Sequence, residues 1–310
     1  MIVTTPADFL AAYSPERFPA VAPATARAAF LVAPLGFTLA EESARDNLYM
    51  ANSSAAAQTA STDAARALSE HAALASALRE SVPVVVFPGD ATMPDAVFPN
   101  NVFATTPGRL IVGAMRHAVR RRETTRADIR AFFRDLLNYP TLDLSTQPLV
   151  AELTGALVID RARGIGFCGL SERCDLAGAR AMHAAFDLKL TFCFDLAPGE
   201  YHTNVVLAQL ASRAVIIAPD GFADATAVEA IAQVYAPRVL RLSKAQKAAF
   251  AGNAIALDPA RVWMSARAAG SLDAAQRAQL AEWGFELRSV VLDEIEKAGG
   301  SLRCCVGEIF

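Results

Sequence analysis

The chain ends in the stretch Ala298-Gly299-Gly300-Ser301-Leu302-Arg303-Cys304-Cys305-Val306-Gly307-Glu308-Ile309-Phe310, which predicts how a reactive side chain is presented. A helical run over 292–297 is expected to end at the two glycines, because glycine adopts positive φ without strain. The next three residues then lead Cys304 into an apolar strand. A thiol that follows a turn and lies beside a cation is favoured as the thiolate, the reactive form. Cys304 is therefore the candidate nucleophile, and the alternative is two small cysteines packed in a terminal strand.

Length and composition limit the class of protein. The chain has 310 residues, a formal net charge of −3 and 53% hydrophobic residues. This length is typical of about two domains, although closed repetitive architectures of this size often form one unit. No apolar run approaches the roughly 18 residues that span a bilayer, and the near-balanced charge favours neither a nucleic-acid nor a membrane partner. We therefore expect a soluble protein.

The N-terminus and the cysteines indicate the compartment. Residues 1–18 lack a basic start followed by a long apolar stretch, so no signal peptide is predicted. Five cysteines without paired spacing favour a reducing compartment over a disulfide framework. Both observations predict a cytoplasmic protein. Cys168 and Cys174 match no zinc-binding spacing, so we expect them, like Cys305, to pack in the core.

Strand and helix patterns alternate along the chain. Short apolar runs bounded by glycine or proline predict strands, and apolar residues at helical spacing predict helices. The predicted strands are 28–32, 84–87, 110–115, 157–160, 164–167, 188–194, 205–210, 214–218, 239–242, 254–257 and 262–264. The predicted helices are 61–80, 129–137, 175–186, 225–235, one capped by Ser243 and one capped by Ser271. This alternation predicts an α/β fold of similar ββα units of about sixty residues around a centre.

Three polar segments precede predicted strands and carry chemically useful side chains. Each segment alone fits turn chemistry, a solvated glutamate or a structural histidine. Together with Cys304 they supply a thiol, an imidazole, carboxylates and amides, the set that nucleophilic attack on a weakly electrophilic carbon needs. The residues concerned are Asp95, Phe98, Asn100 and Asn101 in segment 94–101, Glu152 in segment 152–155, and His202 and Asn204 in segment 199–204.

The order of these segments resembles that of the guanidine-modifying superfamily, which contains arginine deiminases, dimethylarginine dimethylaminohydrolases and amidinotransferases. The resemblance runs from about Phe30 to the last residue. Residues 97–101 and 303–310 are most similar to the citrulline-utilisation hydrolase branch. The motifs are Pro-Asp-x-x-Phe-x-Asn-Asn from Pro94, Glu-x-Thr-Gly from Glu152, His-Thr-Asn from His202, and Gly-Gly-Ser-x-Arg-Cys from Gly299.

The resemblance implies a fold and a set of roles. The fold is a pentein-type α/β propeller, a single catalytic domain over 1–310 whose five ββαβ modules lie in pseudo-fivefold arrangement around the active site. No cofactor and no metal is required. The implied roles are nucleophile for Cys304, general acid/base for His202, orienting carboxylate for Glu152 and substrate-binding carboxylate for Asp95. The other substrate-binding candidates in the motifs are Phe98, Asn100, Asn101, Asn204 and Arg303.

Two positions depart from the pattern of the arginine deiminases. Where those enzymes grip a cationic guanidinium with carboxylates, this chain has Asn101 and Asn204. An amide offers both a donor and an acceptor, which suits a neutral ureido group with its carbonyl oxygen. We therefore expect a C–N hydrolase acting on the ureido group of citrulline or a related compound. The alternatives are an arginine-type dihydrolase or deiminase, an amidinotransferase, and a non-catalytic metabolite-binding member of the same fold.

The expected partner is a small guanidino or ureido amino acid, whose α-carboxylate arginine recognises well. The basic run 116–122 supplies Arg116 and Arg121 as candidates for this contact, and Arg173 is a third. The alternative for the run is a solvated basic face. A homodimer is the default oligomer.

Overall fold

The computed structural model describes residues 1–51 and 62–310 as an α/β protein built from short strands and helices. The strands are β1 (Ile2–Val3), β2 (Ala28–Val32), β3 (Val84–Phe87), β4 (Phe103–Thr106), β5 (Arg109–Val112), β6 (Thr141–Asp143), β7 (Leu157–Asp160), β8 (Ile165–Leu170), β9 (Leu190–Asp195), β10 (Leu207–Leu210), β11 (Ala214–Ile217), β12 (Val239–Arg241), β13 (Arg261–Ser265), β14 (Glu286–Val290) and β15 (Gly307–Ile309).

The α-helices are equally short. They are α1 (Pro6–Ala12), α2 (Glu41–Ala44), α3 (Leu48–Ala51), α4 (Ala64–Leu78), α5 (Ala118–Arg121), α6 (Ala127–Ala131), α7 (Leu153–Ala156), α8 (Leu176–Ala185), α9 (Thr203–Val206), α10 (Ala225–Tyr235), α11 (Lys244–Ala248), α12 (Ala266–Ser271) and α13 (Ala274–Glu282). Turns of 3-10 helix cover Pro99–Asn101, Arg122–Thr125, Pro219–Gly221, Ile295–Ala298 and Leu302–Cys305, and a π-helical turn covers Phe132–Leu136.

The strands of the described residues form five separate sheets. Their orders are β1-β9-β8-β7, β4-β5-β6, β10-β11-β12, β13-β14 and β15-β2-β3. Four sheets repeat one pattern, an antiparallel pair followed by a strand parallel to its second member. In the β10-β11-β12 sheet, for example, Leu207 pairs with Ile217 across the antiparallel ladder and Ile217 pairs with Arg241 across the parallel one. The predicted alternation of hairpins and helices is therefore confirmed.

The C-terminal strand is held by the start of the chain. β15 lies antiparallel to β2, with Gly307 opposite Phe30. A Cβ atom at Gly307 would lie 2.1 Å from the Phe30 ring, so glycine is needed for the strands to approach. This pairing fixes the segment that carries Cys304 to the sheet that contains β2 and β3.

The C-terminal stretch differs from its prediction in two ways. The run predicted as a helix over 292–297 is a 3-10 turn, Ile295–Ala298, and Gly299 follows it with a φ of 76°. Cys304 lies on a second 3-10 turn, Leu302–Cys305, and not in a strand. The turn forms because the Ser301 carbonyl accepts the backbone N–H of both Cys304 and Cys305. The strand starts only at Gly307.

The predicted strand 254–257 is absent. Ile255 makes one antiparallel bridge to Trp263, and the run ends where the Asp258 side chain accepts the N–H of Ala260 and Arg261 and turns the chain. The β13-β14 sheet therefore lacks the third strand that the other sheets have.

Three helix predictions are corrected. Ser271 is the last residue of α12, and the next helix is capped by Asp273 through a capping box with Gln276. The predicted helix 129–137 starts at Ala127 and changes to the π-helical turn at Phe132. The helix predicted over 61–80 starts at Ala64 with Asp63 as its cap, and residue 61 lies outside the described residues.

The core consists of apolar clusters between the sheets and helices. The largest includes Phe9, Phe167 and Phe192, whose rings stack or meet edge to face. Cys304 and Cys305 belong to another cluster, with Phe98, Trp263 and Leu302. Over residues 1–51 and 62–310, no helix is long and apolar enough to cross a membrane.

Candidate active site

The predicted motifs share one structural context. Each includes a single helical turn that directly precedes a strand: Pro99–Asn101 before β4, α7 before β7, α9 before β10 and Leu302–Cys305 before β15. Neighbouring turns pack on each other, 302–305 on 99–101, 99–101 on α7, and α7 on α9. Segments far apart in the sequence are therefore brought together at one end of their strands.

Cys304 lies in this cluster with its thiol enclosed, since the residue is 1% exposed. Its Sγ lies 3.3 Å from Nδ2 of Asn253 and 3.7 Å from Oδ1 of Asn204. Burial raises the pKa of the thiol, and hydrogen bonds to the Ser301 backbone and to Asn253 oppose that rise. The free protein therefore holds Cys304 mainly as the thiol at neutral pH.

His202 and Glu152 form a fully buried pair. Nε2 of His202 lies 2.9 Å from Oε2 of Glu152, which Arg173 also contacts at 3.2 Å. Burial would raise the pKa of Glu152, but the Arg173 guanidinium and the hydrogen bond to His202 outweigh it and hold that pKa below its usual range. Burial lowers the pKa of His202, although Glu152 opposes this. The pair at neutral pH is therefore a carboxylate and a neutral imidazole.

A small cavity connects the thiol and the imidazole. Its lining residues come from all the predicted motifs except 152–155, from the segment 43–47 and from Arg120 and Arg173. Six predicted site residues line it. The lining residues are Ser43, Asn47, Asp95, Phe98, Asn101, Arg120, Arg173, Tyr201, His202, Ala298, Gly300 and Cys304.

Asp95 is the only carboxylate that lines this cavity within the described residues. It is 2% exposed and accepts a hydrogen bond from Oγ of Ser43 at 2.5 Å. Ser43 belongs to the segment after the first predicted strand, so this segment contributes to the site directly. The backbone carbonyl of Ser43 also accepts a hydrogen bond from Arg173 at 3.0 Å.

Several buried polar atoms in this region have no hydrogen-bond partner within the described residues. They are both amide atoms of Asn100, Oδ1 of Asn101, Nδ1 of His202 and Nδ2 of Asn204. Buried polar groups are normally paired, because an unpaired one costs about 1–3 kcal/mol. Asn101 and His202 line the cavity and Asn204 contacts Sγ, which is the arrangement expected of a site that hydrogen-bonds a polar ligand.

The predicted arginines occupy different places. Arg173 is 2% exposed and bridges Glu152 to Asp46, at 3.2 and 2.5 Å. Arg116 is partly exposed and contacts Asp46 at 3.2 Å and Glu172 at 2.5 Å. Arg121 donates to the carbonyls of Met115 and Arg116.

Arg303 adjoins the nucleophile in sequence, and its charge acts to lower the pKa of the thiol. Its guanidinium donates to Glu308 at 2.8 Å and to the Val306 carbonyl at 2.9 Å. Arg303 and Asn204 line a second cavity, whereas Asp95 and Phe98 line the cavity that contains Cys304.

Sequence reasoning did not single out several residues of the site, among them Ser43, Asn47 and Tyr201 in the cavity lining. Asn253 and Arg120 are two further ones. Asn253 contacts the sulfur, but Gly252-Asn253 has only the composition of a turn, so no sequence signal pointed to it. Arg120 lies in the basic run 116–122 and is its buried member, 3% exposed, with its guanidinium on Glu123 and the Phe98 carbonyl. A basic run in a short helix does not show which arginine is turned inward.

No group of three or more histidine, cysteine or acidic side chains among the described residues is arranged to hold a metal ion. Cys168 and Cys174 are buried, with their sulfur atoms 3.6 Å apart. Cys305 is buried beside Cys304, as expected of a packing residue.

Comparison with known proteins identifies the family of the chain. Residues 33–310 match the family described as N,N dimethylarginine dimethylhydrolase, eukaryotic. No curated protein is significantly similar to the chain. The chain belongs to the guanidino-modifying pentein superfamily, whose relatives of this type are hydrolases acting on amidino C–N bonds. Within that class, the match over most of the chain makes it a member of the dimethylarginine dimethylhydrolase family.

Solved structures of low sequence identity share the fold. The N-terminal domain of ArgZ, a cyanobacterial arginine dihydrolase, in a cysteine-to-serine mutant bound to substrate, is 19% identical with a TM-score of 0.76, covering 91% of this chain and 97% of that one. AgrE in complex with L-arginine is 20% identical with a TM-score of 0.77, and 40% of its longer chain is covered. A dimethylarginine dimethylaminohydrolase adduct with S-methyl-L-thiocitrulline is 18% identical with a TM-score of 0.67, covering 91% and 99% of the two chains.

Proposed function

We propose that the chain is a cysteine-dependent C–N hydrolase that acts on the ureido group of citrulline or a related compound. The observation that carries this proposal is the polarity around the thiol, where amides outnumber carboxylates. Asn101 lines the cavity, Asn204 contacts Sγ, and Asp95 is the single lining carboxylate of the described residues. Unpaired amide atoms can both donate to and accept from a neutral ureido group, whereas a buried guanidinium cation needs anions around it.

The proposed reaction has two steps. The Cys304 thiol gives its proton to the neutral imidazole of His202, and the resulting thiolate attacks the ureido carbon. His202 then passes this proton to the departing nitrogen, so that ammonia leaves and a thiocarbamate ester forms on sulfur. Water then attacks the same carbon with His202 as general base, which breaks the C–S bond and regenerates the thiolate. The released carbamate decomposes to carbon dioxide and an ornithine-type amine. One water is consumed overall, and the reaction as written uses no cofactor and no metal.

Further contacts complete the proposal. Glu152 fixes the orientation of His202, and Asp95, with Phe98, Asn100 and Asn101 near it, binds the reacting group. Arg116, Arg121 and Arg173 are the proposed partners of the substrate carboxylate, and Arg303 a more distant contact. The Arg116 side chain is 40% exposed, whereas those of Arg173 and Arg303 are 2% and 12% exposed. Arg116 is therefore the more available of these three to a group that enters from solvent.

An arginine-type dihydrolase is the second candidate. It is favoured by the likeness to ArgZ and AgrE, which extends over 91% of the chain. Asp95 supplies one anion for a guanidinium. Such an enzyme would hydrolyse the guanidine first and the resulting ureido group second, with two ammonia molecules and one carbon dioxide released per arginine.

The deciding experiment follows the labelled carbon. Citrulline labelled at the ureido carbon and arginine labelled at the guanidinium carbon are incubated with the protein, and ammonia and labelled carbon dioxide are counted. We expect one ammonia and one labelled carbon dioxide per citrulline, with little turnover of arginine. Two ammonia molecules per arginine would favour the dihydrolase, and labelled citrulline accumulating from arginine would favour a deiminase.

Matched variants identify the nucleophile. Cys304→Ala is expected to abolish turnover, and Cys305→Ala, which changes the neighbouring buried thiol, is expected to retain it. Glycine or ornithine added as an acceptor tests for an amidinotransferase, which would transfer the labelled carbon to the added amine. Absence of turnover of both labelled compounds and of N-acylated forms, in a protein that unfolds cooperatively, would favour the non-catalytic binding protein.

We also propose that the five sheets form a pseudo-fivefold α/β propeller and that residues 1–310 make a single catalytic domain. The repeated antiparallel and parallel strand order in four sheets supports this. A cytoplasmic location and a homodimer stay predictions, which fractionation and analytical ultracentrifugation can test.

A further inference from the structure

The proposed reaction leaves one question about the nucleophile, which is what favours the thiolate in a buried site. Cys304 is 1% exposed, and desolvation disfavours its charged form. The charge of the neighbouring Arg303 opposes this rise in the thiol pKa, but its guanidinium makes its hydrogen bonds to Glu308 and to the Val306 carbonyl. The recorded side-chain contacts of Sγ within the described residues are instead two amides, those of Asn253 and Asn204.

The Asn253 side chain is fixed at both ends. Its Oδ1 accepts the backbone N–H of Cys304 at 3.4 Å, and its Nδ2 donates to the Asn204 carbonyl at 2.8 Å. Because Oδ1 faces an N–H donor and Nδ2 faces a carbonyl, the network assigns the two ends of this amide. The second hydrogen of Nδ2 is therefore available to the sulfur, which lies 3.3 Å away.

The backbone around Asn253 is shaped to place it there. Phe250 has a φ of 64°, in the left-handed region that few large residues adopt. At Gly252 a Cβ atom would lie 2.2 Å from the Val205 carbonyl oxygen, so only glycine permits this approach. Asn253 itself is fully buried. A strained turn and an obligatory glycine thus hold one amide against the reactive sulfur.

We propose that Asn253 is a catalytic residue whose amide donates a hydrogen bond to the Cys304 sulfur and thereby favours the thiolate. This role rests on the proposed function of Cys304 as nucleophile. A hydrogen bond to a charged acceptor is stronger than one to a neutral acceptor, so the donor stabilises the thiolate more than the thiol. It acts twice in the cycle, when the thiol loses its proton before attack and when the thiolate leaves the thiocarbamate ester.

Asn204 has the complementary position. Its Oδ1 faces the sulfur and accepts the S–H of the resting thiol, while its Nδ2 has no partner among the described residues. Asn253 is the one of the two that the recorded contacts orient as a donor.

The test is a titration of the thiol without substrate. Thiolate absorbance in the ultraviolet is measured against pH, and the same curve of Cys304→Ala is subtracted, which leaves the titration of Cys304. In Asn253→Ala we expect the midpoint of the Cys304 titration to rise by about one pH unit. At pH values well below the midpoint, this rise corresponds to about a tenfold smaller fraction of thiolate. In Asn253→Asp, which keeps the Oδ1 acceptor but replaces the donor by an anion, we expect a larger rise. Turnover at neutral pH is expected to fall at least as much, and the deficit to shrink as the pH is raised.

A purely structural role gives a different result. It would lower turnover by the same factor at every pH and leave the titration midpoint unchanged, and that outcome would overturn the proposal. Asn253→Ser keeps a small donor and is expected to fall between wild type and Asn253→Ala, and it replaces either variant that fails to fold. Since the titration needs no substrate, its result is independent of whether the substrate is ureido or guanidino.

Discussion

Nε2 of His202 lies 2.9 Å from a carboxylate oxygen of Glu152, and both side chains are fully buried. Since the carboxylate only accepts, the histidine donates from Nε2, and its Nδ1 carries the lone pair. Nδ1 has no partner among the described residues and lies against Gly155. The pair therefore fixes the tautomer and leaves Nδ1 as the nitrogen that can take up a proton.

Replacing Glu152 by glutamine tests this arrangement. The amide is nearly the same size but has no charge, and it presents a donor as readily as an acceptor to His202. We expect kcat to fall by about 10²–10⁴, the range of general acid–base catalysis, with a smaller change in KM. Steady-state kinetics give both values. Glu286→Gln, a matched change at an exposed position, is expected to stay within about twofold of wild type. Equal activity of the two variants would exclude the proposed role of Glu152.

A second histidine predicts how stability depends on pH. His71 is buried in α4, Nε2 lacks a partner among the described residues, and burial lowers its pKa to about 4. The unfolded chain takes up the proton near pH 6.5 whereas the folded protein resists it. The contribution of His71 to the free energy of unfolding is therefore fully present above pH 6.5 and is lost as the pH falls towards 4. Burial lowers the pKa of His202 as well, so it acts in the same direction.

We expect His71→Met to lose less stability than wild type between pH 6.5 and 4, because the methionine has no proton to bind. Urea unfolding at intervals of pH measures this slope. The two proteins are compared by the change in unfolding free energy with pH, so that any difference in packing at neutral pH cancels. Parallel curves would show that His71 does not stay neutral in the folded protein.

The two asparagines at carboxylate positions predict substrate preference. A carboxylate at Asn101 or Asn204 attracts a guanidinium but repels the carbonyl oxygen of a ureido group. In Asn101→Asp and Asn204→Asp we expect the ratio of ureido to guanidine kcat/KM to fall by at least about tenfold, the equivalent of 1.4 kcal/mol. The ratio is the correct measure, since an anion near Cys304 also disfavours its thiolate and slows both substrates. Asn138→Asp is the control, because Asn138 does not line the cavity, and it should leave the ratio unchanged. If the ratio were unchanged in all three variants, the asparagine amides would not determine the preference for a ureido substrate.

The sequence predicted the cluster better than it predicted the backbone that carries it. Cys304 is predicted from the turn before it and from the resemblance, and His202, Glu152 and Asp95 from the order of motifs that resembles the guanidine-modifying superfamily. The structure brings all four to one end of their strands, although their roles stay predictions. The placement of Cys304 on a 3-10 turn was not predicted, because an apolar run after a glycine pair favours a strand as readily as a turn.

What sequence reasoning missed depends on contacts between distant segments. Asn253 reaches Cys304 across 51 positions, and no local pattern reports such a contact. The apolar run 254–257 predicts a strand, and its residues are indeed buried. A buried irregular segment has the same apolar composition as a buried strand, so the sequence does not distinguish the two. Arg120 is distinguished from Arg116 and Arg121 only by Glu123 and the Phe98 carbonyl, which turn it inward.

Gly155 offers a test of how closely the site is packed. A Cβ atom there would lie 2.4 Å from Oδ1 of Asn101 and 2.8 Å from Cε1 of His202. Both contacts are too short, so Gly155→Ala must displace one of the two side chains. A displacement of about 1 Å in a catalytic group commonly lowers the rate by about 10². We expect kcat to fall by about that factor.

Gly270→Ala is the matched control for this substitution, because Gly270 lies in α12 and its Cβ atom would have no neighbour within 4 Å. It should retain wild-type kcat and gain up to about 1 kcal/mol of stability from the better helix former. Kinetics and thermal unfolding of both variants separate the two effects. If Gly155→Ala lost stability but kept its kcat, at least one of the two side chains, His202 or Asn101, would not need the position that the structure gives it.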